Sequence, residues 1–171
     1  GLATKIPPHN LGEVCDALIG LLDDPEMKPQ DVLKYLKGPD FPTGGTIIGM
    51  DGIRSAYYGG QGPDRGRGSI VVRGKCEIEE RGRKSVIVVT ELPYQVTRSA
   101  VVDKVRELMR TDRVKGISEA NDLSDHRNPL LIEIELKTDA NPTVVLNQLY
   151  KYTPLQDTYG ANMVALVPVD R

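Results

Sequence analysis

The chain has 171 residues, of which 39% are hydrophobic and 27% charged, and its formal net charge is −2. This composition excludes a polar disordered tail, and no apolar run approaches the ~20 residues that a membrane span needs. Cys15 and Cys76 stand far apart without a CxxC partner, which argues against a zinc site or a disulfide framework. No secretion signal is recognised, so we expect a cytoplasmic location.

The charges are distributed unevenly along the chain. Residues 54–116 carry fourteen basic and eight acidic side chains, whereas the segments on either side each carry four basic and eight acidic ones. A basic segment of this kind is typical of proteins that bind an anionic partner. An ordinary solvated surface is the alternative interpretation.

The first third of the chain predicts helices separated by irregular segments. Asn10 and Glu13 form a capping-box pattern that opens a helix over 11–22 with apolar residues at helical spacing. Pro29 predicts a short second helix ending near Lys37. A short apolar run over 46–48, a helical turn over 51–58 and a Gly- and Arg-rich loop over 59–68 follow. We place the main boundary within the chain at this loop.

Beyond that loop the hydrophobic pattern changes to the period of two that is typical of strands. The predicted elements are strands over 69–80 and 84–92, a helix over 98–111 capped by Thr97, strands over 114–123 and 131–137, a helix over 141–152 and a strand over 163–169. Hairpins that alternate with helices predict an α+β fold. We expect a two-layer sandwich, with a mostly antiparallel sheet and its helices on one face.

Residues that could carry chemistry do not combine into an active site. The loop over 60–68 lacks the spacing of a nucleotide-binding loop, and Asp122, Asp125 and His126 have no further ligand in view. His9 is interpreted as a hydrogen-bonding element of its turn. A self-contained enzyme is therefore the least favoured hypothesis, since no nucleophile, base and orienting group can be assembled.

Two segments are candidates for binding an anionic polymer. In Lys5-Ile6-Pro7-Pro8, a branched apolar side chain is stiffened by two prolines and preceded by a cation. Proteins that kink DNA use apolar wedges of this kind, but a hydrophobic staple against the following helix is the alternative. At Thr97-Arg98, free N–H groups, a hydroxyl and a guanidinium predict a phosphate site, and an ordinary N-cap explains the residues equally well.

A series of motifs runs in order across almost the whole chain. The motifs are Gly1–Leu11 (GLATKIPPHNL), Gly38–Thr43 (GPDFPT), Arg67-Gly68 with Arg73, Leu92–Val96 (LPYQV), Asn147–Tyr150 (NQLY) and Gly160–Leu166 (GANMVAL). Together they resemble the A subunits of bacterial type IIA DNA topoisomerases. The versions at Phe41, Pro93-Tyr94 and Asn162-Met163 resemble the gyrase branch more than the topoisomerase IV branch.

The resemblance implies a fragment with two parts. Residues 1–66 would be the C-terminal part of the winged-helix and shoulder region, and residues 67–171 the tower domain. The family's catalytic tyrosine follows an arginine upstream, and no Arg-Tyr pair occurs here, so the chain alone is expected to be inactive. The implied partners are duplex DNA and the other members of an A2B2 enzyme, namely the B subunit with a second A subunit. Mg²⁺ and ATP would be bound by the B subunit, whereas this chain would hold no cofactor.

The resemblance also implies a DNA-bending role. The family's wedge isoleucine corresponds to Ile6, flanked by Lys5 and Pro7, and the resemblance favours the wedge over the staple. The expected phosphate contacts, along the tower, are Arg67, Arg73, Thr97 and Arg98.

The chain departs from the family pattern at two places. The chain has Lys5 where Asn or Asp is common, and its loop over 59–66 is longer than the family's usual connection.

Two alternative functions are also considered. One is the corresponding part of topoisomerase IV, which decatenates DNA, and the other is a non-catalytic α+β module that binds a small ligand or a protein.

Overall fold

The structure is a computed structural model that describes residues 3–59 and 65–166. Its elements are α1 (Leu11–Asp23), a 3₁₀ turn (Asp31–Lys34), β1 (Thr46–Ile47), α2 (Asp51–Tyr57), β2 (Arg67–Arg73), β3 (Cys76–Arg81), β4 (Lys84–Val89), α3 (Arg98–Arg110), β5 (Ile117–Asp122), β6 (Ile132–Leu136), α4 (Pro142–Tyr152) and β7 (Gln156–Asn162). The predicted α+β class is confirmed. None of the helices in the described part combines the length and the apolar character needed to cross a bilayer.

The chain divides into two compact units. Unit 1 takes the described residues of 1–42, 47–71 and 158–171, and unit 2 takes residues 43–46 and 72–157. The predicted division at residue 66 refers to the domains of a family and stays a prediction.

The helix caps predicted at Asn10 and Thr97 are present, and Asn141 caps the helix predicted to begin there. The side chains of Asn10, Thr97 and Asn141 accept hydrogen bonds from backbone N–H groups in the first turns of α1, α3 and α4. Each cap satisfies an N–H group that the helix itself leaves unpaired.

The apolar face of α1 is not covered within the described residues. Leu11 is 77% exposed and Leu22 81% exposed, and Gly20 is the buried residue of this helix. The helix was predicted correctly, but the burial that its amphipathic pattern indicates is not found.

Unit 2 contains the predicted two-layer sandwich. Its antiparallel sheet has the strand order β3-β4-β6-β5, and Ile134 of β6 lies opposite Ile87 of β4 and Ala120 of β5. These residues form one core with the buried faces of α3 and α4, which supply Val101, Val105 and Leu149 among others. The helices therefore cover one face of the sheet, as the pattern predicts.

The prediction of one strand over 69–80 is wrong. The structure has two strands, β2 and β3, which belong to different sheets; β2 lies between β1 and β7 in a three-stranded sheet. The break falls at Gly74, whose N–H donates to the Leu155 carbonyl (2.8 Å) and where a Cβ atom would lie 2.5 Å from the Glu91 carbonyl oxygen. Because only glycine permits this close approach, the chain leaves one sheet there and enters the next.

Two other boundaries also differ from the sequence prediction. The last strand is Gln156–Asn162 rather than 163–169; residues 163–166 are not a strand, and 167–169 lie outside the described residues. The second helix is reduced to the 3₁₀ turn Asp31–Lys34. The strand β7 was missed because its sequence is mostly polar, and the residues buried in it are Tyr159 and Ala161.

Candidate nucleic-acid interface

The candidate residues fall into two groups, one in each unit. Lys5, Ile6, Pro7 and Arg67 belong to unit 1, and Arg73, Thr97 and Arg98 belong to unit 2. Each group therefore has its own supporting contacts.

The segment before the two prolines is fixed to the end of β7. Lys5 and Asn162 exchange two backbone hydrogen bonds of 2.9 Å in an antiparallel bridge. The Thr4 hydroxyl donates to the Val164 carbonyl at 2.7 Å, and the Asn162 side chain donates to the Ala3 carbonyl. Four hydrogen bonds to Asn162 and Val164 therefore hold the backbone segment that precedes Ile6.

Ile6 projects an apolar side chain from this support. It is 48% exposed, whereas Pro7 is buried and the Pro8 carbonyl accepts a hydrogen bond from the Asp40 N–H at 2.9 Å. The proline rings also fix the backbone φ angles that follow. A hydrophobic staple would be buried against its helix, so the exposure of Ile6 favours the wedge interpretation.

Lys5 is a cation oriented by an aromatic ring. Its Nζ lies 4.4 Å from the centroid of the Tyr159 ring, which packs at a tilted angle on Phe41 at 5.4 Å. A cation–π contact of this kind contributes about 0.5–1 kcal/mol at an exposed site. Within the described residues Lys5 makes no salt bridge, so its charge remains available to an anion.

His9 holds the turn that follows the prolines, as predicted. Its Nε2 forms a hydrogen bond with the Tyr57 hydroxyl, and the two rings meet edge to face at 5.6 Å. Burial lowers the pKa of His9 and raises the pKa of Tyr57. Both groups are therefore neutral near pH 7 and act as structural partners.

Arg67 lies at the exposed start of β2, near the same end of β7. The Met163 N–H donates to the Gly66 carbonyl at 2.7 Å, one residue after Asn162 pairs with Lys5. Arg67 lines a cavity of about 620 Å³ together with Arg65 and Tyr58. Most of the Gly- and Arg-rich loop lies outside the described residues, which resume at Arg65.

In unit 2, Arg73 is held by two neutral partners. Its Nε donates to the Gln156 Oε1 at 2.6 Å, and its Cζ lies 4.8 Å from the Tyr150 ring centroid. No salt bridge to Arg73 occurs among the described residues. This arrangement fixes the guanidinium without neutralising it.

Thr97 and Arg98 are more fully occupied than the sequence suggests. The Thr97 Oγ1 accepts from the Ala100 N–H at 3.3 Å, which is an ordinary N-cap. The Arg98 Nη1 donates to the Pro129 carbonyl at 3.3 Å and lies 3.8 Å from the Asp122 Oδ1. A phosphate at this helix start would compete with Asp122 for the guanidinium.

The loop with Asp122, Asp125 and His126 forms internal turns. The Asp122 side chain accepts from the Ser124 N–H at 3.0 Å and from its hydroxyl; the hydroxyl contact is the largest cause of a lowered Asp122 pKa. The Asp125 side chain accepts from the N–H groups of Arg127 and Asn128. Among the described residues, no group of three potential ligands is placed to hold a metal ion.

Sequence reasoning missed the aromatic rings that orient these cations. Tyr159 under Lys5 and Tyr150 under Arg73 lie far from their partners in the chain. The sequence shows that the chain has seven tyrosines and no tryptophan. This composition does not reveal which tyrosine forms a cation–π contact with which cation.

Comparison with known proteins identifies the family. Residues 1–170 match the family model that describes the A subunit of DNA gyrase/topoisomerase IV. The chain belongs to this family. The resemblance drawn from the motifs is therefore confirmed.

The relatives of this chain in the family include several DNA gyrase A subunits. The chain is 51% identical over 168 residues to the DNA gyrase A subunit of Clostridium acetobutylicum, covering 98% of this chain and 19% of that protein. It is 47% identical over 172 residues to the DNA gyrase A subunit of Synechocystis sp., with coverage of 98% and 19%. A probable chloroplastic/mitochondrial DNA gyrase A subunit of Oryza sativa is 45% identical over 170 residues, with coverage of 98% and 17%. The chain thus spans about a fifth of the length of these relatives.

Proposed function

We propose that this chain is a DNA-binding and DNA-bending part of a gyrase-type A subunit. It would support the gate DNA segment during ATP-dependent double-strand passage and supercoiling. The observation that carries the proposal is Ile6, which is 48% exposed on a backbone fixed by the Lys5–Asn162 bridge and the buried Pro7. Membership of the gyrase/topoisomerase IV A-subunit family supports it.

The physical mechanism is the insertion of an apolar wedge into a base step. Unstacking one step costs a few kcal/mol, and a bend of 40–90° in a 20–30 base-pair site costs about 1–6 kcal/mol. Phosphate contacts along the bent arms must offset these costs. Lys5 beside the wedge would supply such a contact, as would Arg67, Arg73, Thr97 and Arg98, and Arg98 would first have to exchange Asp122 for a phosphate.

The partners follow from the same proposal. Two A subunits would place two wedges on one duplex, and the B subunit would supply the ATP and Mg²⁺ chemistry. We expect no strand cleavage by this chain alone, because it lacks the Arg-Tyr pair that carries the nucleophile in the family. The contacts proposed are to phosphates and a base step, so sequence preference should be weak.

The test is DNA bending by the Ile6→Ala variant. A duplex of ~30 base pairs labelled at both ends reports bending by energy transfer, and a salt titration reports the number of phosphate contacts. We expect salt-sensitive binding by the wild-type chain together with a bend. In Ile6→Ala the bend should be lost, although no charge has been removed.

Ile19→Ala is the matched control. Ile19 is also an isoleucine of unit 1, it is 57% exposed, and it lies on α1 away from the proline pair. This variant should bend the duplex as the wild type does. The proposal fails if the wild-type chain does not bind DNA at low salt, or if Ile6→Ala bends it as strongly as Ile19→Ala.

A further inference from the structure

A second group of cations gathers around one aromatic ring in unit 2, at the C-terminal ends of α3 and α4. Lys104, Arg113, Lys151 and Tyr152 line an open cavity of about 730 Å³ with Glu107 and Leu108. We call the three cations and the ring the Tyr152 patch (Lys104, Arg113, Lys151 and Tyr152). None of its residues was a candidate from the sequence.

Two cations of the patch lie over the same ring. The Arg113 Cζ is 4.8 Å and the Lys151 Nζ is 5.3 Å from the Tyr152 ring centroid. Both side chains are exposed, and neither forms a salt bridge within the described residues. The ring holds the two side chains in place without neutralising them, since a π face carries no net charge.

The acidic groups near the patch are already engaged. Glu107 pairs with Lys104 at 2.8 Å, and that hydrogen bond is the largest cause of its lowered pKa, to which the charges of Arg110 and Arg113 add. Asp112 lies 3.8 Å from Lys115. After these pairings, Arg113 acts on Glu107 only through its charge, and neither Arg113 nor Lys151 forms a salt bridge among the described residues.

Helix ends explain part of this arrangement. Lys151 is in the last turn of α4, and Arg113 follows the end of α3, where the negative ends of helix dipoles favour cations. The dipoles account for each cation separately. They do not explain why two cations converge on one ring beside an open cavity, where an anion would relieve their mutual repulsion.

We propose that the Tyr152 patch binds phosphate groups of the duplex DNA backbone. The inference rests on the proposed function and adds a binding site to it. The guanidinium of Arg113 suits two-point contact with a phosphate, and the ammonium of Lys151 adds a point charge. Charge complementarity is the basis for choosing DNA. Lys104 and Arg113 belong to the segment 54–116, in which basic residues outnumber acidic ones by fourteen to eight, and Lys151 adds a cation from outside that segment.

The test removes both unpaired charges and measures the salt dependence of DNA binding. Each phosphate contact contributes about 0.9 to the slope of log K against log salt. The double variant Arg113→Gln/Lys151→Gln should therefore make the slope shallower by about 2. The variant Arg113→Lys/Lys151→Arg keeps the charges and should retain the wild-type slope, which separates the effect of charge from that of packing.

The matched control is Arg83→Gln/Lys137→Gln. Arg83 and Lys137 are exposed cations of unit 2 that form no salt bridge within the described residues. Their removal changes the net charge equally and should leave the slope near the wild-type value. Circular dichroism checks that each variant is folded.

The outcomes separate this inference from the proposed function. If the patch variant keeps the wild-type slope, or loses no more than the control, while Ile6-dependent bending persists, the patch is not a DNA site and the proposed function stands. If the wild-type chain does not bind the duplex, both are overturned. A shallower slope in the patch variant alone supports the inference.

Discussion

Replacing Gly68 with alanine is expected to destabilise unit 1 by about 3 kcal/mol, at the upper end of the usual cost of overpacking. Gly68 is in β2, and a Cβ atom there would lie 2.2 Å from the Gly52 carbonyl oxygen and 2.6 Å from the Ala56 backbone nitrogen. From the other side, a Cβ atom on Gly52 would lie 2.1 Å from the Ser69 carbonyl oxygen. The backbones of α2 and β2 are thus in direct contact, and neither can rotate away as a side chain would.

Urea unfolding followed by circular dichroism measures this effect. Hydrogen exchange at the amides of α2 assigns the loss of stability to unit 1. One such amide is the Arg54 N–H, which donates to the Met50 carbonyl at 2.9 Å. Gly160→Ala is the control, because Gly160 lies in β7 of the same unit and a Cβ atom there meets nothing within 4 Å. Its stability should stay within about 0.5 kcal/mol of the wild type. Equal stability of the two variants would contradict the close packing of α2 on β2.

The Ile134→Ala variant is expected to destabilise unit 2 by about 3–4 kcal/mol. Ile134 is fully buried in the central strand β6, between Ile87 of β4 and Ala120 of β5. Truncation removes buried apolar surface and leaves a cavity. The backbone of β6 cannot easily shift to fill that cavity, because it is hydrogen-bonded to a strand on each side. The measurement is again urea unfolding, with hydrogen exchange in β6 as the local probe.

Ile78→Ala provides a control in the same row of the sheet. Ile78 lies opposite Ile87, but it is in the edge strand β3 and is 40% exposed. Its truncation should cost about 1 kcal/mol, since less apolar surface is lost and water can fill the space. A cost at Ile134 no larger than that at Ile78 would mean that the core of unit 2 is not centred on β6.

Local signals in the sequence predicted much of the fold. The caps predicted at Asn10 and Thr97 depend on residues within one turn, and both are present. The alternation along β6 was also recovered, because one of its faces is buried and the other is more exposed. Such patterns are visible in a single sequence since they need no distant partner.

Features set by distant contacts were missed. The break at Gly74 depends on the approach of Leu155 and Glu91, and the polar strand β7 is defined by its place beside β2. For the candidate site, the Lys5-Ile6-Pro7-Pro8 pattern indicated Lys5 and Ile6. The motifs did not reveal that Lys5 is oriented by Tyr159 or that two cations share Tyr152.

Unstacking of a base step is the most direct test of the proposed wedge. A set of ~30 base-pair duplexes, each with 2-aminopurine at a different central position, reports local unstacking as an increase in fluorescence when the chain binds. The proposed function predicts an increase with the wild-type chain and with Ile19→Ala, and its loss with Ile6→Ala, because only Ile6 inserts into the stack. Binding without any increase, or an equal increase with Ile6→Ala, would contradict the wedge.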